Sequence, residues 1–179
     1  MGVHGGQVAV TDSVMPIRAY RSSDLAVLYA INQASTPGVG SEADAAGLAR
    51  WIALSTCLVA TDDDDGPVGF ITLIPLGTSA YLSANLRWFE AWQDQMGGDL
   101  IYVDRIAVAA SARGQQIGAG LYAAAFAASV GRSGMACEVN LAPPNPGSLR
   151  FHAGQGFEHV GERSFDGGKK AVAYLIRPL

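Results

Sequence analysis

The chemically suggestive stretch of this chain is Val108-Ala-Ala-Ser-Ala-Arg113-Gly114-Gln115-Gln116-Ile117-Gly118-Ala119-Gly120-Leu121, which follows a segment rich in Ile, Tyr and Val and opens an alanine-rich one. Glycines let a ligand come close to the backbone, and the N–H groups of a first helical turn have no partners within the helix. With the helix dipole, these features make an anion site suited to a pyrophosphate. The plainer reading of the same glycines is a turn that permits tight helix–strand packing. A second conspicuous position is Glu138 in Cys137-Glu138-Val139-Asn140, a charge inside an otherwise apolar strand segment. Such a charge is costly unless paired, so Glu138 is either functional or held in a salt bridge to Arg105 or Arg150. Asp62 to Asp65 invite a metal reading, but consecutive side chains point apart where metal ligands must converge, and the run is expected to be a solvated turn.

Two anion-binding readings compete for the glycine stretch. Gly118-x-Gly120-x-x-Ala123 formally fits a dinucleotide fingerprint, with Glu138 about where a ribose-binding acid would be sought. A dinucleotide turn places its first glycine at the strand end, however, whereas eight residues separate Ala109 from Gly118. The segments before it also read as a meander of strands rather than a βαβ repeat. The other reading is a resemblance. Gln115-x-x-Gly118-x-Gly120, led by Arg113-Gly114 and preceded by Val108, resembles the acyl-CoA-binding motif of the GNAT superfamily of N-acetyltransferases. The later Asn145-Pro-Gly-Ser148-Leu-Arg-Phe151-His152-Ala-Gly-Gln-Gly156-Phe157 resembles its second signature, Asn-x-x-Ala-x-x-Leu-Tyr followed by Gly-Phe.

This resemblance implies an α/β (α+β) fold, the GNAT acyl-CoA N-acyltransferase fold. A mixed, mostly antiparallel sheet flanked by helices opens into a V between its fourth and fifth strands, where acetyl-CoA lies as co-substrate without a metal. It implies that backbone groups of Ile106, Ala107 and Val108 bond the acyl carbonyl and pantetheine arm. The amides of Arg113, Gly114, Gln115, Gln116, Ile117, Gly118 and Ala119 wrap the pyrophosphate in the motif completed by Gly120. Asn145 and Ser148, with Asn140 a further candidate, contact the cofactor from the other side. The reaction implied is direct attack of a neutral amine on the thioester in a ternary complex. That reaction needs a base for the ammonium proton, dipoles for the developing oxyanion and an acid for the thiolate.

The family tyrosine that serves as the acid corresponds here to His152. An imidazole titrates near neutrality and can serve as acid or base, so His152 is the first candidate for the acid; the alternative is a helix residue packed by the cofactor. The base candidates are Asp104, Glu138 and, further down, Glu90, with a water-relayed path open beside them. Asp104 shares strand parity with Tyr102 and Ile106, which puts these side chains on one face unless a bulge reverses the alternation. The segment Gly77 to Gly98 stands where the family often has a tight hairpin, and its Tyr81, Trp88, Phe89 and Trp92 are core, acceptor pocket or dimer contact. Asn32 and the loop Thr36 to Ser41 are expected on the acceptor side. The functional expectation is an N-acetyltransferase acting on a small-molecule or protein amine; the rival is a non-catalytic acyl-CoA sensor or partner module on the same fold.

The elements that must position these groups follow from periodicity. Residues 1–15 read as a loose arm and 16–179 as one domain. Strand segments are expected at 16–20, 57–61, 68–76, 100–109, 136–142, 157–162 and 171–176. Helical ones are expected after Ser22 or Ser23, from about Ser41 through a capping-box-like Ser41-x-x-Asp44, at 83–96, at 116–130 with Ile117, Leu121, Ala124 and Ala128 inward, and at 147–155. The 179 residues are 49% hydrophobic and 16% charged, enough for a real core in one domain. A net charge of −4 gives no basic surface for nucleic acid. No apolar run is long enough to span a bilayer and the N-terminus lacks a signal-peptide pattern, so no membrane partner and a cytoplasmic location are expected. Cys57 and Cys137 match neither a zinc spacing nor a disulfide framework, in keeping with a reducing compartment.

Overall fold

The apolar segments at 56–75, 100–108, 134–142 and 170–178 assemble one sheet in a computed structural model that describes residues 15–179. Its strands are β1 (Ile17–Ala19), β2 (Thr56–Thr61), β3 (Pro67–Pro75), β4 (Leu100–Val108), β5 (Gly134–Ala142), β6 (Glu158–Phe165) and β7 (Lys170–Pro178). The helices are α1 (Leu25–Ala34), α2 (Ala45–Ile52), α3 (Ala84–Met96), α4 (Ile117–Ala128) and α5 (Pro146–Gly154). The sheet order is β1-β2-β3-β4-β5-β7-β6. Every neighbouring pair is antiparallel except β4 with β5, which is parallel and registered only from Leu100 to Tyr102 against Gly134 to Ala136. Beyond Tyr102 and Ala136 the two strands part, and the sheet opens into a V. The expected arm falls almost wholly outside the described residues.

The sheet is covered on both faces. Leu28 and Ile31 of α1, Leu48 and Ile52 of α2, and Leu86 and Phe89 of α3 pack on one side against Phe70, Tyr102, Ala107 and Tyr174. On the other side Leu121, Tyr122 and Ala125 of α4, with Leu149 and Phe151 of α5, pack on Ile71, Val103, Met135 and Leu175. The inward stripe of α4 is therefore Ile117, Leu121, Tyr122 and Ala125, while Ala128 is exposed, because the helix ends there instead of running to Val130. The start of α2 also differs from expectation. Asp44, not Ser41, is its N-cap and accepts from Gly47 N–H at 2.7 Å, while Ser41 lies in the preceding loop and receives the Gln33 amide. Ser83 caps α3 and Asn145 caps α5, the latter followed by Pro146 where a missing N–H costs nothing.

One irregularity decides the site. Between β3 and β4 the register passes from Thr72 opposite Arg105 to Leu73 opposite Val103, leaving Asp104 as an extra residue in a β-bulge. Alternation reverses there, so Tyr102, Asp104 and Arg105 all turn toward the helices α1 to α3, while Ile106 packs with the α4 side. The shared face expected for Tyr102, Asp104 and Ile106 thus breaks at Asp104. The bulge puts an acid and a guanidinium side by side on the same face.

Candidate active site

The start of α4 is built for an anion. Gly114 sits at φ +80°, a left-handed conformation that a side chain would strain, and Gln116 enters the helix at φ +59° with no side-chain cap on the first turn. The first helical bond is made by Gly120 N–H to the Gln116 carbonyl at 3.0 Å, so the amides of Ile117, Gly118 and Ala119 precede the ladder. A pocket of about 390 Å³ adjoins them, lined by Arg113, Gly114, Gln116, Gly118, Ala119 and Phe151. A Cβ on Gly118 would stand 2.9 Å from the Phe151 ring, so only glycine keeps this wall in place. Gly120 instead faces β1, where a Cβ would lie 3.4 Å from Ile17 Cδ1. Gln115 is exposed beside the pocket.

This pocket shares Val108, Arg113, Gly118 and Phe151 with a second one of about 270 Å³, which runs along β4 to Asn145, Ser148 and His152. Its β4 wall is Ile106, Ala107 and Val108. Ala109 N–H donates to the Val68 carbonyl on the β3 side, so strand alternation turns the polar groups of Val108 and Ile106 to the opposite edge, the one facing the V. Unpartnered strand edge, helix-start amides and a glycine-lined wall together suit the carbonyls, amide and pyrophosphate of an acyl-CoA. Asn145 spends its side-chain oxygen on Ser148 N–H at 3.1 Å. Asn140 lies on the other side of the V, donating to the Pro37 carbonyl at 2.8 Å.

His152 is 4% exposed and ringed by Tyr122, Phe151 and Phe157. Its Nδ1 lies 2.7 Å from the Ser148 carbonyl, which can only accept, so Nδ1 carries the proton and the neutral ring has a bare Nε2. Burial pushes its pKa below the ordinary imidazole value, against the smaller opposing effect of that hydrogen bond.

On the far side of the V lies a cleft of about 600 Å³, bounded by the loop Thr36 to Glu42, the start of α3 and the bulged part of β4. Glu138 is at its back. Tyr102 O–H donates to Oε2 at 2.7 Å and Asn85 N–H to Oε1 at 2.8 Å. Burial raises this carboxyl to about 7, helped by the neighbouring Asp104, while the Tyr102 and Asn85 donors pull the other way. The pairing considered for Glu138, with Arg105 or Arg150, is not what forms. Arg105 is 5% exposed and binds Asp104 at 2.8 Å, Glu42 at 2.5 Å, and the Asn32 side chain and Gly40 carbonyl at 3.0 and 3.1 Å. Asp104 also accepts from the Tyr81 hydroxyl. Glu90 stands apart, bound to Arg87 and Gly77 N–H.

Asp104 and Glu138 thus share the cleft, and His152 stands in the groove beyond the V. Sequence reasoning passed over Asn85, Tyr102, Arg105 and Tyr174 as site residues. Of the aromatics in the inserted segment, Phe89 is core, Trp88 and Trp92 pack beside it, and Tyr81 reaches the cleft. Asp62 accepts from Gly66 N–H at 2.8 Å and Asp65 pairs with Arg18 and Arg21, so this run shapes a turn. Among the described residues no helix is long and apolar enough to cross a membrane.

A sheet split between two parallel strands, with a helix start at the split, is the arrangement that the resemblance to the GNAT superfamily implied. The model of the Acetyltransferase (GNAT) family matches residues 25–157, and the chain belongs to that family. Acetyl-CoA is accordingly its co-substrate. No curated protein sequence matches it. Its fold is similar to that of a GNAT superfamily phosphinothricin acetyltransferase from Sinorhizobium meliloti in complex with AcCoA (21% identity over 93% of this chain and 89% of that one, TM-score 0.68). It is also similar to the ribosomal-protein-alanine N-acetyltransferase from Brucella melitensis (21%, 92% and 100%, 0.67). A third similar structure is a GNAT family acetyltransferase from Elizabethkingia anophelis with acetyl-CoA bound (13%, 93% and 99%, 0.65).

Proposed function

We propose that this protein is a cytoplasmic N-acetyltransferase that moves the acetyl group of acetyl-CoA to an amine bound in the cleft of Thr36 to Glu42, α3 and β4. Glu138 takes the proton that the amine must lose. The observation that carries this reading is a carboxyl raised to about 7 at the back of an open cleft, with each oxygen already holding one donor and free to accept another. A base poised near the working pH combines a large ionised fraction with a useful proton affinity. The free, buried Cys57 and Cys137 support the location.

Acetyl-CoA supplies an activated acyl carbonyl, and the rest of the chemistry rests on the chain. The amides of Ile117, Gly118 and Ala119 hold the pyrophosphate, and the β4 edge at Ile106 and Val108 aligns the arm and offers N–H dipoles to the acyl oxygen. Asp104, bound by Arg105 and Tyr81, lies near Glu138 and helps to raise its affinity for the proton. The neutral His152, with its proton committed to Ser148, is better suited to shaping the thioester end of the groove than to donating a proton. This missing donor is what favours the second reading, a non-catalytic acyl-CoA sensor. A pH–rate profile separates them. An N-acetyltransferase working through Glu138 shows kcat/KM falling below a midpoint of about 7, and Glu138→Gln lowers kcat by about 100-fold or more. Full activity in that variant removes Glu138 as the base, and no turnover with any amine returns the protein to the sensor class.

A further inference from the structure

Helix α3 is inserted between β3 and β4, and its first turn reaches the base. Asn85 N–H donates to Glu138 at 2.8 Å, and the Asn85 carbonyl oxygen accepts from Tyr174 O–H at 3.0 Å. Tyr174 lies on β7 directly opposite Glu138 in register. Its ring stacks on Trp88 with centroids 4.0 Å apart and planes 16° from parallel. Trp88 is three residues beyond Asn85 on the same helix, so α3 holds Tyr174 by the ring and by the hydroxyl together.

We propose that Asn85 is a positioning residue for Glu138, its amide held by the Trp88-stacked Tyr174 so that N–H rather than C=O faces the carboxylate. The inference rests on the reading of Glu138 as the base. An amide has two ends of nearly equal shape, and a flipped Asn85 would set its oxygen against an ionised carboxylate. Tyr174 donating to that oxygen selects the productive orientation. Tyr102 then serves one carboxylate oxygen and Asn85 the other, which holds the group flat at the back of the cleft and leaves a lone pair on each oxygen for an incoming N–H.

Other charged groups around the site act from other elements. Asp104 on β4 raises the Glu138 pKa, and Arg105 sits beside Asp104. Lys170 and Glu42 line the cleft, and Arg163 on β6 faces the Tyr174 hydroxyl. All of these remain when Asn85 is replaced.

The test is a titration of side-chain carboxyl carbons by NMR on protein labelled at glutamate, which needs no acceptor. Glu138 is identified by the resonance lost in Glu138→Gln. In the wild type its midpoint is expected at about 7. Losing a donor to the ionised form raises the midpoint, so Asn85→Ala shifts it upward by about 1 pH unit. Tyr174→Phe, which deletes a single oxygen and keeps the ring on Trp88, shifts it in the same direction by less. An unmoved midpoint in Asn85→Ala overturns the proposal, and an unmoved midpoint in Tyr174→Phe overturns the part assigned to Tyr174. Should Asn85→Ala fail to fold, Tyr174→Phe carries the test alone. If both midpoints move but Glu138→Gln retains wild-type turnover, the base assignment falls while the hold of Asn85 on the carboxyl stands.

Discussion

At the scale of single residues, one cause pushes the pKa values of two side chains in opposite directions. Burial raises Glu138 to about 7 and lowers His152, because in each case it penalises the charged form. Near pH 7 a carboxyl so raised is about half ionised and can take up a proton, whereas the lowered imidazole stays neutral and is a poor proton donor. His152→Phe is accordingly expected to keep kcat within about 10-fold of the wild type, since the ring packs among Tyr122, Phe151 and Phe157. A loss of about 100-fold in kcat with unchanged affinity for acetyl-CoA would instead make His152 the acid. Glu138 was visible in the sequence as a charge in an apolar strand, and Gly118 as part of a spaced motif. Asn85 was not, because its contact with Glu138 spans 53 positions and depends on where an inserted helix lands. His152 was found by position alone, and its committed tautomer depends on the Ser148 carbonyl one turn earlier.

At the scale of elements, two junctions make the site. The entry into α4 supplies amides and a wall without side chains. Gly118→Val would drive a side chain into Phe151, 2.9 Å from the Cβ position, and crowd the pocket. Calorimetry should show acetyl-CoA affinity reduced by at least about 10-fold, which is a loss of about 1.4 kcal/mol. Unchanged affinity would place the pyrophosphate elsewhere. The β4 bulge is the other junction. Arg105 ties it to α1 through Asn32 and to the α1–α2 loop through Gly40 and Glu42, so Arg105→Ala leaves Asp104 and Glu42 without their cation. Breaking such a buried pair costs about 3–5 kcal/mol, measurable by denaturant unfolding. A loss below about 1 kcal/mol would show the network to be loosely held. The bulge could be considered from the sequence but not located, because alternation along one strand carries no record of its partner's register. The element order was legible throughout, since β-branched runs and capped helical stripes are local signals. The Asp44 cap was misplaced because Ser41 offered an equally good local pattern.

At the scale of the whole molecule, the raised Glu138 makes stability depend on pH. Its folded-state pKa of about 7 lies above the ordinary 4.5, so the folded protein holds this proton more tightly than the unfolded chain. The resulting stabilisation is fully present below pH 4.5 and is lost as pH rises through 7, an effect on the order of 3 kcal/mol. Glu138→Gln, which cannot ionise, is expected to gain Tm relative to the wild type as pH is raised from about 5 to about 8, by several degrees for a chain of this size. A constant Tm difference across that range would mean that Glu138 titrates near its ordinary value. The split sheet sets the groove lined by Val108 and the cleft lined by Glu138 on either side of one gap.

The most direct test of acetyl transfer is release of the coenzyme A thiol from acetyl-CoA at about pH 8, followed with and without a panel of primary amines in wild type and Glu138→Gln. The account predicts that at least one amine accelerates thiol release, that the acetylated amine appears in equal amount, and that Glu138→Gln suppresses both. Tight acetyl-CoA binding with no amine-dependent release from the wild type would contradict it and make the protein a binder of acyl-CoA.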